Sequence, residues 1–294
     1  VADVSSKKEL ADVVLIDIIE GLAQGKALDI MQSAPIEGFK VKVTGSENYS
    51  QLAGSDIVVV TAGMPRKPGM SRMDLLKTNL EIVKSCIEKI KTYAQNAIIL
   101  MVTNPLDVMS YVALKVSGFE RERVFGMAGV LDSARFRYFI SERLKVSPEE
   151  VQTLVLGTHG DDMVPLVRYT TVRGVPLSQL LTEPEIEQLI HRTRNAGAEI
   201  VSFLKTGGAY YAPASCVCQM LEAIIKDEKK VMPASAYLQS EYEASDVYIG
   251  VPVRLGKRGI EEIIQLKLSE EESQALQKSI QSVRKGIEEI EHLI

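Results

Sequence analysis

The chain has 294 residues, of which 46% are hydrophobic and 25% charged, with a net charge of -5 at pH 7 and a pI near 5.5. That length suits a single two-lobed enzyme with a sizeable core, and the acidic balance, without basic clusters interleaved with aromatics, argues against nucleic-acid binding. No apolar run approaches a membrane span and no signal peptide is visible, so a cytoplasmic protein is expected.

The chain opens at Val1-Ala2-Asp3-Val4 inside a helical pattern that leads to a strand, Val13-Val14-Leu15-Ile16, ending at Asp17. A nucleotide-binding sheet would place a strand and a Gly-x-Gly-x-x-Gly turn before that helix, so roughly fifteen residues are expected ahead of Val1. Ile57-Val58-Val59-Val60-Thr61 and Ile98-Ile99-Leu100-Met101-Val102 read as two further buried strands, with a helix over 75–93 between them. Such alternation predicts an α/β fold, a doubly wound parallel sheet with helices on both faces. The strands end at Asp17, Thr61-Ala62-Gly63 and Thr103-Asn104-Pro105. Ligands bind beyond the carboxyl ends of parallel strands, so three candidate binding loops fall on one edge.

The second half changes character near Ala128. Residues 151–156 and 167–172 read as neighbouring antiparallel strands, followed by helices over 183–204 and 212–225. Later strands are expected over 247–253 and 262–266, and an amphipathic helix from Ser269 closes the chain. Three cysteines (Cys86, Cys216, Cys218) form an odd set without metal-site partners nearby, so reduced, packed thiols and no metal site are expected.

Certain side chains in this frame suggest chemistry. Gly157-Thr158-His159-Gly160-Asp161 places a histidine, one of three in the chain, between glycines just past a strand. An imidazole there is placed to meet a ligand and exchange a proton near neutral pH, although an isolated turn histidine commonly has no such duty. Leu131-Asp132-Ser133-Ala134-Arg135 sets a carboxylate and a guanidinium on one helical face, one to orient His159 and one to grip an anion. Residues 63–72 (Gly-Met-Pro-Arg-Lys-Pro-Gly-Met-Ser-Arg) form a Pro/Gly-rich loop carrying Arg66 and Arg72 above the strand edge. It is either a solvated basic loop or a lid that brings guanidinium groups onto a carboxylate. Asp17 is either a turn residue or an acceptor for ribose hydroxyls. Asn104 is either a turn residue or a partner for a carbonyl or cofactor. His191 and His292 read as surface residues, and Lys205-Thr206-Gly207-Gly208 as a small-residue helix junction.

Four segments in this order, residues 62–72, Val102-Thr103-Asn104-Pro105, 131–135 and 157–161, resemble the lactate/malate dehydrogenase family, and the resemblance runs across essentially the whole chain. It is closest to the bacterial, lactate-dehydrogenase-like branch that acts on malate. The resemblance implies a Rossmann-type NAD-binding domain over 1–127 and an α+β substrate domain over 128–294. It implies NAD as cofactor, with Asp17, Asn79, Val102, Thr103 and Asn104 around it. It makes His159 the proton donor and acceptor, with Asp132 holding its imidazole. Arg135 would bind the carboxylate beside the reacting carbon, Arg72 would polarise the carbonyl, and Asn104 would touch the substrate. Family members acting on malate commonly carry arginine where Arg66 stands, and those acting on lactate carry glutamine. A dicarboxylate substrate, no membrane or nucleic-acid partner, and a homotetramer or homodimer are therefore expected. A broader 2-hydroxy-acid dehydrogenase and a non-catalytic nucleotide-binding member remain as alternatives.

Overall fold

The computed structural model describes residues 1–64 and 72–294, without the side chain of Arg72. The basic segment 65–71, Arg66 included, lies outside the described residues. A short helix, α1 (Ala2–Lys7), leads to β1 (Val13–Ile16), α2 (Leu22–Glu37) and β2 (Val43–Ser46), and β1 and β2 pair in parallel. β3 (Ile57–Val60), α3 (Arg72–Tyr93), β4 (Ile98–Met101), α4 (Leu106–Ser117) and β5 (Val124–Gly126) follow, with β3, β4 and β5 parallel. β4 is buried at all four residues, as expected for a strand covered on both faces. α3 covers one of those faces with Leu76, Leu80, Val83, Ile87 and Ile90, a spacing of three and four that keeps every one of them in the core. Residues 17–19 and 61–64 follow the carboxyl ends of β1 and β3.

The remainder comprises α5 (Gly129–Leu144), the two-residue strands β6 (Val151–Gln152), β7 (Val155–Leu156), β8 (Val164–Pro165), β9 (Thr171–Val172) and β10 (Val175–Pro176), and helices α6 (Glu183–Leu204) and α7 (Tyr211–Ile225). A long hairpin, β11 (Lys230–Leu238) and β12 (Val247–Gly256), then β13 (Gly259–Ile263) and α8 (Glu270–Glu288), complete the fold. The expected pair 151–156 and 167–172 forms only in part. β6 pairs antiparallel with β9, but β7 pairs with β8, and 167–169 is a single 3-10 turn. The strand expected over 262–266 runs instead from Gly259 to Ile263, closing a tight turn on Gly256.

β11 is central and was not evident in the sequence, because Pro233 interrupts it. In the hairpin Pro233 faces Pro252, a position that asks neither residue for an N–H. Through Ser235 opposite Gly126, β11 extends the parallel strands into one six-stranded sheet of order β13-β12-β11-β5-β4-β3. The main core packs on this sheet, and a second one, around Phe136, Ile140, Val151 and Leu177, sits between α5, α6 and the short strands.

Gly129 sets how closely α5 approaches β7. A Cβ there would overlap the Val155 carbonyl oxygen and lie 2.7 Å from Pro233 Cβ. Gly129→Ala should therefore cost about 1–3 kcal/mol, as overpacked cores do. Chemical denaturation checks this, and an unchanged midpoint would refute it.

Candidate active site

Asp132 and His159 meet where α5 and the loop after β7 converge. Asp132 lies on the first turn of α5, and His159 follows β7 after a left-handed Gly157 (φ +83°) that turns the chain out of the strand. A Cβ at Gly157 would sit 2.8 Å from Ser279 Oγ and 2.9 Å from the Asp162 carbonyl, so both space and backbone favour glycine. His159 Nδ1 is 2.9 Å from Asp132 Oδ2, with side-chain exposures of 18% and 2%. With Nδ1 on the carboxylate, Nε2 is the nitrogen left to meet a substrate, and it makes no hydrogen bond among the described residues. The Asp132 charge is the largest influence on the imidazole and raises its pKa, with their hydrogen bond and the Asp107 charge acting the same way. Burial and the nearby Arg135 oppose this less strongly. The histidine is thus biased toward its protonated form.

Asp132 Oδ1 is buried without a hydrogen-bond partner among the described residues, and Arg135 Nη1 stands 3.7 Å from it. The Arg135 guanidinium is 13% exposed and makes no hydrogen bond there, which leaves its donors available for an anion beside His159. It packs against α6 at Gly197. The other histidines, His191 and His292, are exposed.

The expected cofactor residues gather at the carboxyl ends of β1, β3 and β4. Asp17 is partly exposed just past β1, its Oδ1 accepting from Ile19 N at 3.0 Å. Asn79 is buried on α3, and its amide ties two strand ends together. Oδ1 accepts from Met64 N at 2.7 Å, and Nδ2 donates to the Asn104 carbonyl at 2.8 Å. Thr103 Oγ1 donates to the Ala62 carbonyl at 2.6 Å, and Val102 N to the Val60 carbonyl at 2.9 Å. Asn104 is exposed ahead of a cis Pro105. Gly63 abuts Thr103 and Asn79, and a Cβ there would lie 2.6 Å from Thr103 Cγ2. A carboxylate acceptor, an exposed amide and a glycine-lined backbone fit the ribose and nicotinamide ends of a dinucleotide. The sequence contains no Gly-x-Gly-x-x-Gly segment.

Other participants carry no sequence signal of their own. Asp107 accepts from Thr158 Oγ1 at 2.6 Å and from His159 N at 3.3 Å, and Ser279 Oγ accepts from Thr158 N at 2.7 Å. Ser279 stands on the buried face of α8, so only packing reveals it. Asp107 lies three residues past Asn104, the one hint available in the chain order.

Two family models match the chain. The lactate/malate dehydrogenase NAD-binding domain covers residues 2–126, and the lactate/malate dehydrogenase alpha/beta C-terminal domain covers residues 129–294. The malate dehydrogenase of Roseiflexus sp. strain RS-1 is 52% identical over 282 residues, spanning 96% of this chain and 91% of that protein. The apo structure of Picrophilus torridus malate dehydrogenase superposes with a TM-score of 0.95 at 44% identity, covering 97% of this chain and 91% of the other. A Cryptosporidium parvum lactate dehydrogenase complexed with lactic acid and NAD superposes with a TM-score of 0.94, also at 44% identity, over 98% of this chain and 92% of that one. Both matched domains, the Rossmann-type sheet and the paired histidine and aspartate place this chain in the lactate/malate dehydrogenase family.

Proposed function

We propose that the chain is an NAD-dependent malate dehydrogenase that interconverts oxaloacetate and (S)-malate, with His159 as proton carrier. The observation that carries this reading is the 2.9 Å contact of His159 Nδ1 with buried Asp132, beside an Arg135 guanidinium that makes no hydrogen bond among the described residues. Malate dehydrogenase relatives at 52% identity support the substrate class. Division into an NAD-binding domain, 1–127, and a substrate domain, 128–294, agrees with the span of the two family models.

In this reading Arg135 grips the carboxylate next to the reacting carbon, and Arg66 holds the distal one. Arg72 polarises the carbonyl and Asn104 accepts or donates at the same substrate. Asp17 takes the ribose hydroxyls, while Asn79, Val102 and Thr103 shape the nicotinamide end by fixing the backbone around Ala62–Met64 and Asn104. NADH, when bound there, would supply the hydride for the carbonyl carbon. His159 Nε2 gives its proton to the carbonyl oxygen as that oxygen gains charge, and Asp132 stabilises the imidazolium beforehand. The reverse reaction returns the proton to a neutral His159.

A homotetramer or homodimer is supported by exposed apolar side chains in two places. Leu28 and Ile36 stand out on α2, and Phe203 and Tyr211 at the α6–α7 junction. No helix among the described residues is long and apolar enough to cross a membrane, and a cytoplasmic location agrees with three free cysteines.

The test is NADH oxidation with oxaloacetate and with pyruvate, side by side. Fast turnover of oxaloacetate alone is expected. A preference for pyruvate would move the chain to the lactate branch, and silence with both, despite NADH binding, would favour a non-catalytic member.

A further inference from the structure

Among the described residues, Asp107 is the one buried carboxylate that the reaction outlined above leaves without a task. It is 2% exposed on the first turn of α4, yet it caps no α4 amide. Its bonds go elsewhere. Oδ1 accepts from Ser235 Oγ of β11 at 2.6 Å, and Oδ2 accepts from Thr158 Oγ1 at 2.6 Å and from the His159 amide at 3.3 Å. A buried carboxylate without a paired cation is costly where an amide or an aliphatic side chain would fill the same space. Burial accordingly raises its pKa against the pull of those three donors.

The loop is held at other points too: His159 Nδ1 meets Asp132, and Asp162 accepts from Ser282 Oγ at 2.7 Å. Gly157 exchanges hydrogen bonds with Gly250 of β12 at 2.9 and 3.1 Å, and Thr158 N donates to Ser279 of α8. Asp107 alone brings a negative charge to the His159 amide, from the helix that begins just after Asn104. Among the described residues, the charged groups facing His159 are Asp132 and Arg135 from α5 and Asp107 from α4. Near them, Lys278 of α8 is paired with Asp162 at 3.0 Å, and Arg194 of α6 donates to the Met163 carbonyl at 3.3 Å.

We propose that Asp107 is a positioning residue for His159. It holds the Thr158–His159 backbone so that the imidazole meets Asp132, and it ties the His159 loop to the same helix that carries the Asn104 turn. The proposal rests on His159 being the proton carrier, so its test reads the histidine directly as well as turnover.

Asp107→Asn keeps the shape, since its amide oxygen can still accept from Thr158 and His159 while its nitrogen donates to Ser235, but it removes the charge. Asp107→Ala removes both, and Thr158→Val cuts a single tie should the alanine variant fail to fold. With three histidines in the chain, the His159 ring resonances can be assigned by their loss in His159→Gln and followed through a pH titration by NMR. The His159 midpoint should move to lower pH in Asp107→Asn. Oxaloacetate kcat should fall about 10-fold in Asp107→Asn and in Thr158→Val, and about 10²-fold in Asp107→Ala, the scale on which a misplaced catalytic group costs rate. KM for NADH should barely change. An unmoved His159 titration with parental kcat overturns the proposal, as does a lowered unfolding midpoint with the titration unmoved, which marks Asp107 as merely structural. Should the parent not reduce oxaloacetate, the functional reading fails separately, and the titrations still decide the role of Asp107.

Discussion

Replacing His159 with glutamine is expected to lower kcat/KM for oxaloacetate about 10²- to 10⁴-fold, or roughly 3–5 kcal/mol of transition-state stabilisation. Glutamine can still reach Asp132, but it has no proton to give at neutral pH. Asp132→Asn should act in the same direction by a different route. It removes the charge that most strongly raises the imidazole pKa, and leaves Nδ1 a neutral amide in place of a carboxylate. The sign of the pH dependence follows from the raised pKa. Oxaloacetate reduction needs the protonated ring, so its rate should fall as pH rises through the folded-state pKa, which lies above the ordinary histidine value of 6.5. Malate oxidation needs the neutral ring and should rise over the same range. In Asp132→Asn both limbs should move to lower pH. Stability follows the same linkage: the part contributed by the His159–Asp132 pair is complete below the unfolded-state value and is lost as pH climbs through the folded one. Steady-state rates in both directions between pH 5 and pH 10 check this, and limbs that stay put in Asp132→Asn would remove the aspartate from its assigned role.

Arg66→Gln should cost oxaloacetate on the order of 10² or more in kcat/KM, about 3 kcal/mol, and it should narrow the gap to pyruvate. The second carboxylate of oxaloacetate gives a guanidinium a bidentate partner. Pyruvate would leave the same guanidinium desolvated and unpaired in a closed site. That argument uses the chemistry of the segment 63–72 alone, since Arg66 lies outside the described residues. Parallel assays of both variants with both keto acids test it, and near-equal values for mutant and parent would withdraw the arginine from substrate selection.

β1, β3 and β4 were legible in the chain because each is a run of four consecutive apolar residues rich in Val and Ile, and β4 is buried along its whole length. α6 announces itself through Thr182 and Glu185 in a capping box, and α8 through Ser269 and Glu272. Elements whose residues hide the period were not legible. β2 reads Val-Thr-Gly-Ser, and β11 carries a proline amid small residues, so neither shows alternation. β11 nonetheless joins the two halves of the sheet, because its neighbours on both sides supply the pairing that its composition does not advertise.

His159, Asp132 and Arg135 were candidates from local pattern, since glycines flank the first and helical spacing joins the other two. Local pattern was enough to show which side chains could donate a proton or grip an anion, and their order along the chain was enough to point to the family. Long-range packing is what sets Asp132 on Nδ1 of His159, clamps Met64 to Asn104 through Asn79, and brings Asp107 and Ser279 to the His159 loop. Periodicity reports on neighbours three or four residues apart. Asp107 and Ser235 are 128 positions apart, and Thr158 and Ser279 are 121. Such contacts exist because a sheet buried on both faces draws α4, α5 and α8 onto it at fixed registers, and the polar groups left inside must then find each other.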